Sequence, residues 1–114
     1  MSEISIEYMA GFFDGEGNVQ ISNAKHYPNS KQDKIRITNT NKLILDFITE
    51  TFGGKIYKKK DVSTDGYKRK PTWVWAMHGR YGVKLSKQLY EICIEKKEKL
   101  GIFIERNKKN AERI

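Results

Sequence analysis

The chain has 114 residues, a length that fits one domain around one core. Lys and Arg number 22 against 14 Asp and Glu, a formal charge of +8, which points to a polyanionic partner: DNA, RNA or an acidic membrane surface. No apolar run approaches the roughly 20 residues of a membrane span, MSEISIEYM lacks the pattern of a signal peptide, and Cys93 has no second cysteine to pair with, so a soluble protein is expected in a reducing intracellular compartment, a cytoplasm or an organelle matrix.

Ile4, Tyr8, Met9, Phe12 and Phe13 recur at helical spacing, which predicts a first helix over residues 4–14. Ser2 or Ser5 suits its cap, and Gly15 and Gly17 are expected to stop it. Residues 18–26 alternate as a strand, with Val19 and Ile21 on one face and Gln20, Ser22 and Ala24 on the other. HYPNSKQD reads as a turn. KIRITN (34–39) is a second strand, Ile35 and Ile37 inward, Lys34, Arg36 and Thr38 outward. NKLILDFITETF (41–52) is a second helix, capped by Asn41 or Thr40 and ended by Gly53-Gly54. KIYKKKD and KPTWVWAMHG are strands joined through an Asp65-Gly66 turn, with Trp73, Trp75 and Met77 on one face and Thr72, Val74, Ala76 and His78 on the other. Val83, Leu85, Leu89, Ile92 and Cys93 set a third helix over about 80–99; LGIFIE continues it or opens a short further helix. ERNKKNAERI reads as a charged, frayed tail, so the domain is expected over 1–104 and the tail over 105–114.

The order, αββαββα, predicts an α+β fold: a curved four-stranded antiparallel sheet with helices on one face. The other face is then free, and it collects Lys34, Arg36, Lys55 and Lys59. Charge is segregated along the chain. Residues 1–20 hold Glu3, Glu7, Asp14 and Glu16 and no Lys or Arg, and the basic segments follow.

Two acids therefore stand at the foot of the first helix of a basic protein, in MAGFFDGEG, residues 9–17. As bare chemistry they are either solvated helix-end residues or ligands of a hard cation. Carboxylates at a helix C-terminus oppose the macrodipole, which weakens a purely stabilising role. The stretch resembles the nine-residue signature of the LAGLIDADG homing endonucleases: Ala10, Gly11, Asp14 and Gly17 match, Met9, Phe12 and Phe13 replace aliphatics, Gly15 replaces alanine and Glu16 replaces aspartate. The predicted order of elements over residues 1–100 also resembles that family's core.

The resemblance implies a site-specific double-strand DNA endonuclease that uses Mg²⁺, cuts across the minor groove and leaves short 3′ overhangs. One copy of the motif implies a homodimer, in which Ala10, Gly11 and Asp14 belong to the interface between two packed helices. It makes Glu16 the metal ligand, assisted by the Gly15 carbonyl, and gives Asp14 a bond near the start of the partner helix. It assigns Asn39 to the attacking water, although Asn39 equally suits the cap of the second helix. In IEKKEKLGIFI it assigns a lysine near the scissile phosphate to Lys96, with Lys97 as fallback; an exposed charged helix face explains the same residues. The outward residues Gln20, Ser22, Lys34, Arg36, Thr38, Lys55, Tyr57, Lys59, Thr72 and Val74 become the DNA-reading set, on strands of about nine residues following about nine base pairs per half of a pseudo-palindrome.

His26 and His78 lack zinc-ligand spacing, and there is no Walker loop or serine triad, so no small-molecule substrate is expected. The competing class is a module of the same fold that binds nucleic acid without cutting it, an RNA splicing maturase or a transcription regulator. Glu16 separates the two, since mere binding has no use for a carboxylate beside phosphates.

Overall fold

Ser5 opens the first helix by accepting the N–H of Tyr8 (3.0 Å) on its hydroxyl, and α1 runs over Ile6–Glu16. The computed structural model describes residues 4–21, 23–24, 27–31, 33–59 and 71–112; Ser2, Ser22, His26, Lys60 and the Asp65-Gly66 turn lie outside them. Gly15 is inside α1 rather than stopping it. Gly17 does end it, with extended backbone (φ −79) and its N–H on the Phe13 carbonyl. The glycine is there for space: a Cβ at Gly17 would collide with the Phe13 ring and carbonyl.

The expected first strand is two pieces, β1 (Gly17–Gln20) and β2 (Asn23–Ala24). The segment read as a turn contains a strand, β3 (Tyr27–Lys31), which pairs with β2 as a separate two-stranded ribbon. A strand at the edge of a ribbon tolerates proline, so the proline in HYPNSKQD does not by itself mark a turn. β4 (Lys34–Asn39) follows where expected.

Asn41 caps α2 (Lys42–Phe52) by accepting the N–H of Leu43 (3.0 Å). At its far end Gly53 and Gly54 have φ of 92 and 99, a region that side chains rarely adopt. The turn delivers the chain to β5 (Lys55–Lys58), and β6 (Trp73–Met77) pairs back along it. Trp75 locks this corner, donating from Nε1 to the Gly53 carbonyl at 2.8 Å. A side chain at Gly54 would strike the same indole.

The main sheet is antiparallel in the order β1-β4-β6-β5. Each half contributes a helix, an edge strand and a central strand, and the central strands meet. One face carries Val19, Ile35, Ile37, Trp75 and Met77, which pack with Met9, Ala10 and Phe13 of α1 and Leu45 and Ile48 of α2.

The expected third helix divides into α3 (Gly79–Tyr90) and α4 (Lys97–Glu112). α4 takes in most of the supposed tail, because its buried stripe of Leu100, Phe103 and Asn107 continues there. Asp33, expected in an exposed turn, is the reason. Its buried carboxylate accepts from Arg106 Nε (2.7 Å) and Nη2 (3.2 Å) and from Asn107 Nδ2 (2.9 Å). α4 thereby fixes the start of β4. No helix among the described residues is long and apolar enough to cross a membrane.

Truncation after residue 104 should therefore lower the urea midpoint sharply, whereas loss of a frayed tail would leave it unchanged. Asn107→Leu, which removes one donor from a buried carboxylate, should cost about 1–3 kcal/mol in the same measurement.

Candidate active site and nucleic-acid interface

The last turn of α1 meets the junction between α3 and α4. The Asp14 carboxylate accepts the backbone N–H groups of Ile94 (3.1 Å) and Lys96 (2.9 Å). Lys96 reciprocates, donating from Nζ to the Asp14 carbonyl at 2.9 Å. Cys93 donates from Sγ to the Ala10 carbonyl at 3.4 Å. Desolvation alone would raise the Asp14 pKa; the backbone N–H groups of Lys96, Ile94 and Glu95, with the Lys96 ammonium, outweigh it and hold the carboxyl below its ordinary value. Burial first, then the neighbouring Asp14 charge and hydrogen bond, push the Cys93 thiol up to about 11.

Lys96 was expected late in the third helix. It lies instead in the junction, because its N–H is taken by Asp14, and its ammonium sits against the residue that precedes Gly15 and Glu16. Lys97 turns the other way. Its Nζ donates to the Tyr90 carbonyl (2.7 Å) and lies 4.2 Å from the Tyr90 ring centroid, a cation on the C-terminus of α3. Asp14 was expected to bond to a partner helix, but its carboxylate is used within its own chain.

Glu16 is exposed and ends α1. The Gly15 carbonyl meets no donor among the described residues. Among those residues, no three His, Cys, Asp or Glu side chains gather into a metal cage. The available donors, a carboxylate and a carbonyl, are hard oxygens that fit Mg²⁺ only if water or another molecule completes the shell. Asn39 ends β4 two residues beyond Ile37, the partner of Gly17, and so lies at the same end of the sheet. Its Oδ1 accepts the Asn41 N–H (2.9 Å), supporting the turn into α2, while Asn41 is the cap itself.

α1 has two faces. Met9, Ala10 and Phe13 are fully buried in the chain's own core. Ala10, expected in a dimer interface, has no surface left to offer one. Tyr8, Gly11, Phe12 and Gly15 lie on the opposite stripe. Gly11 and Gly15 are exposed, and a Cβ at either would meet nothing within 4 Å. Tyr8 is 52% exposed and stacks on Phe12, ring centroids 6.4 Å apart.

The register sorts the outward face of the sheet. Asn18, Arg36, Ala76 and Lys55 form one row across the four strands. Thr38, Val74 and Tyr57 form the next. Gln20 stands opposite Lys34, and the Lys59 N–H meets the Thr72 carbonyl at 2.8 Å. Lys34, Arg36, Lys55 and Lys59 make no ion pair among the described residues. Val74 is only 4% exposed between Thr38 and Tyr57, so it cannot offer a base edge its side chain. Asn18 is exposed in its place and was missed, although its parity with Gln20 marks the same face.

A family model described as LAGLIDADG endonuclease matches residues 9–70, more than half of the chain. The chain belongs to the LAGLIDADG endonuclease family. Solved structures share the fold. The LAGLIDADG meganuclease I-AabMI, bound to uncleaved DNA, superposes with a TM-score of 0.72 at 23% identity, covering 96% of this chain and 38% of that one. The archaeal intron-encoded homing endonuclease I-Vdi141I, complexed with DNA, gives 0.70 at 21%, covering 95% and 69%. The homing endonuclease I-CvuI, in complex with the I-CreI target, gives 0.67 at 21%, covering 93% and 67%. No curated protein sequence matches the chain.

The Asp14 bonds set a pH dependence. Its folded pKa lies below the ordinary carboxylate value of 3.8, so its stabilisation is complete above that value and is lost as pH falls through the folded pKa. Asp14→Asn should cost about 1–3 kcal/mol at neutral pH and flatten the acid limb of a urea stability profile below about pH 4.

Proposed function

We propose that the protein is a site-specific DNA endonuclease that cuts both strands as a homodimer in the presence of Mg²⁺. The observation that carries this is the outer stripe of α1. Glycine inside a helix costs about 1 kcal/mol against alanine. Gly11 and Gly15 incur that cost without relieving any contact in their own chain. Their missing side chains leave room for a second backbone, and Tyr8 and Phe12 flank that room with apolar surface. Two α1 helices crossing there bring two copies of Glu16 together beneath one duplex. This supplies the second set of oxygen donors that a single chain lacks.

In this reading Glu16 and the Gly15 carbonyl hold Mg²⁺, which when bound supplies phosphate polarisation and a more acidic water. Lys96 places positive charge where negative charge develops on phosphate. Asn39, at the same end of the sheet, orients water. The cations on the open sheet face hold the duplex, and Asn18 and Arg36 read adjacent base edges; the Arg36 fork suits the two major-groove acceptors of guanine. β4, with six residues, spans roughly 20 Å, about six base pairs, and the β2–β3 ribbon extends that reach. The target is a pseudo-palindrome about twice the length read by one subunit.

Incubation with a randomised duplex library and Mg²⁺, followed by sequencing of cut ends, tests the activity. Binding with no cut ends would leave a non-cleaving module. Glu16→Gln should abolish cleavage with binding retained or tightened, because a negative charge near phosphate is gone; cutting at the wild-type rate would remove Glu16 from the chemistry. Gly11→Leu should leave a monomer by light scattering and abolish double-strand cleavage, and an active monomer on target DNA would overturn the homodimer.

A further inference from the structure

The α3–α4 junction has little apolar burial to hold it. Between Tyr90 and Lys97 only Cys93 is buried, while Ile92 is 40% and Ile94 84% exposed. Its position is set by polar bonds to α1, most of them to one residue. The Asp14 carboxylate takes the N–H groups of Ile94 and Lys96, and the Asp14 carbonyl takes the Lys96 ammonium. Lys97 is tied to the end of α3. Of the two lysines, only Lys96 is directed to the end of α1 that carries Glu16.

We propose that Asp14 is a positioning residue that acts through Lys96: its carboxylate fixes the junction so that the Lys96 ammonium is presented at the C-terminus of α1. This rests on the nuclease reading for its effect on rate, but the placement itself does not. The carboxylate draws the Lys96 backbone inward, and only from there does the side chain fold back onto the Asp14 carbonyl. Two bonds on opposite sides of one residue thus determine where a lysine five bonds long points. With the junction released, Lys96 is an exposed lysine on a polar loop, and its charge is spread over a wide arc. Cys93 anchors the other end of the junction to the Ala10 carbonyl, so loss of Asp14 frees the lysine end first.

The test has two arms. Acylation of the whole protein by dilute acetic anhydride, read by mass spectrometry, should find Lys96 protected relative to Lys99. In Asp14→Asn the two should react alike, and in Asp14→Glu, which keeps the charge on a longer arm, protection should be partly restored. Equal labelling of Lys96 in the wild type, or protection unchanged in Asp14→Asn, overturns the placement whether or not the protein cuts DNA.

The second arm is a double-mutant cycle on single-turnover cleavage. Asp14→Asn should slow cleavage about a hundredfold, the scale of a catalytic group misplaced by about 1 Å, with target affinity unchanged when Mg²⁺ is withheld. Lys96→Met should act similarly, and Asp14→Asn added to Lys96→Met should cost less than about a further twofold. Fully multiplicative effects, or a loss confined to affinity, overturn the positioning role. A wild type that protects Lys96 but cuts nothing overturns the nuclease reading, and with it the effect on rate, and leaves the placement standing.

Discussion

The Asp14 carboxylate and the backbone of Ile94 are 80 residues apart in sequence and 3.1 Å apart in space. That contact closes the first helix onto the last two. Without the carboxylate the hydrogen bonds left between α1 and the junction 91–96, among the described residues, would be those of Cys93 to the Ala10 carbonyl and of the Lys96 ammonium to the Asp14 carbonyl. With it, the groups of the candidate site are referred to one rigid point, and carboxylate acceptance of main-chain N–H groups is among the stronger kinds of hydrogen bond. It also answers why two acids stand at a helix end where the macrodipole disfavours them: one caps a neighbouring segment, and the other is left exposed.

Around that point the molecule is a pair of similar halves. Each helix hands directly to an edge strand, and the two central strands carry the apolar residues that join the halves. This arrangement commits one sheet face to the core and leaves the other to charge. Lys34, Arg36 and Lys55 stand on that charged face, and among the described residues none of them forms an ion pair with an acid. A second clasp, Asp33 with Arg106 and Asn107, holds the start of β4 from the α4 side.

The helices and central strands were legible because their apolar residues repeat at 3.6 or 2, as Ile35 and Ile37 do in β4. The motif was legible because its residues are contiguous. What could not be read locally depends on partners far away. Asp33 resembles a turn residue until Arg106, 73 positions on, is seen beside it. The end of α4 resembled a tail because its buried stripe passes from Leu100 and Phe103 to Asn107, where a polar residue interrupts the apolar signal. EKKEK favours a continuous helix, and nothing in those letters says that Asp14 will take its N–H groups. Of the candidate site, the bonds between Asp14 and Lys96 had no signal in the sequence, and Ala10 is buried in its own chain because helical position alone does not tell which face the chain keeps for itself.

Cys93 has a consequence for experiment. It is the only cysteine, it is buried, and its thiol is pushed up to about 11, so at neutral pH it offers almost no thiolate. A cysteine introduced at an exposed position such as Leu43 would then be the one fast-reacting thiol in the molecule. Maleimide dyes or spin labels attach there selectively without any prior substitution of the native residue. The chain comes ready for site-specific labelling, with its core left as it is.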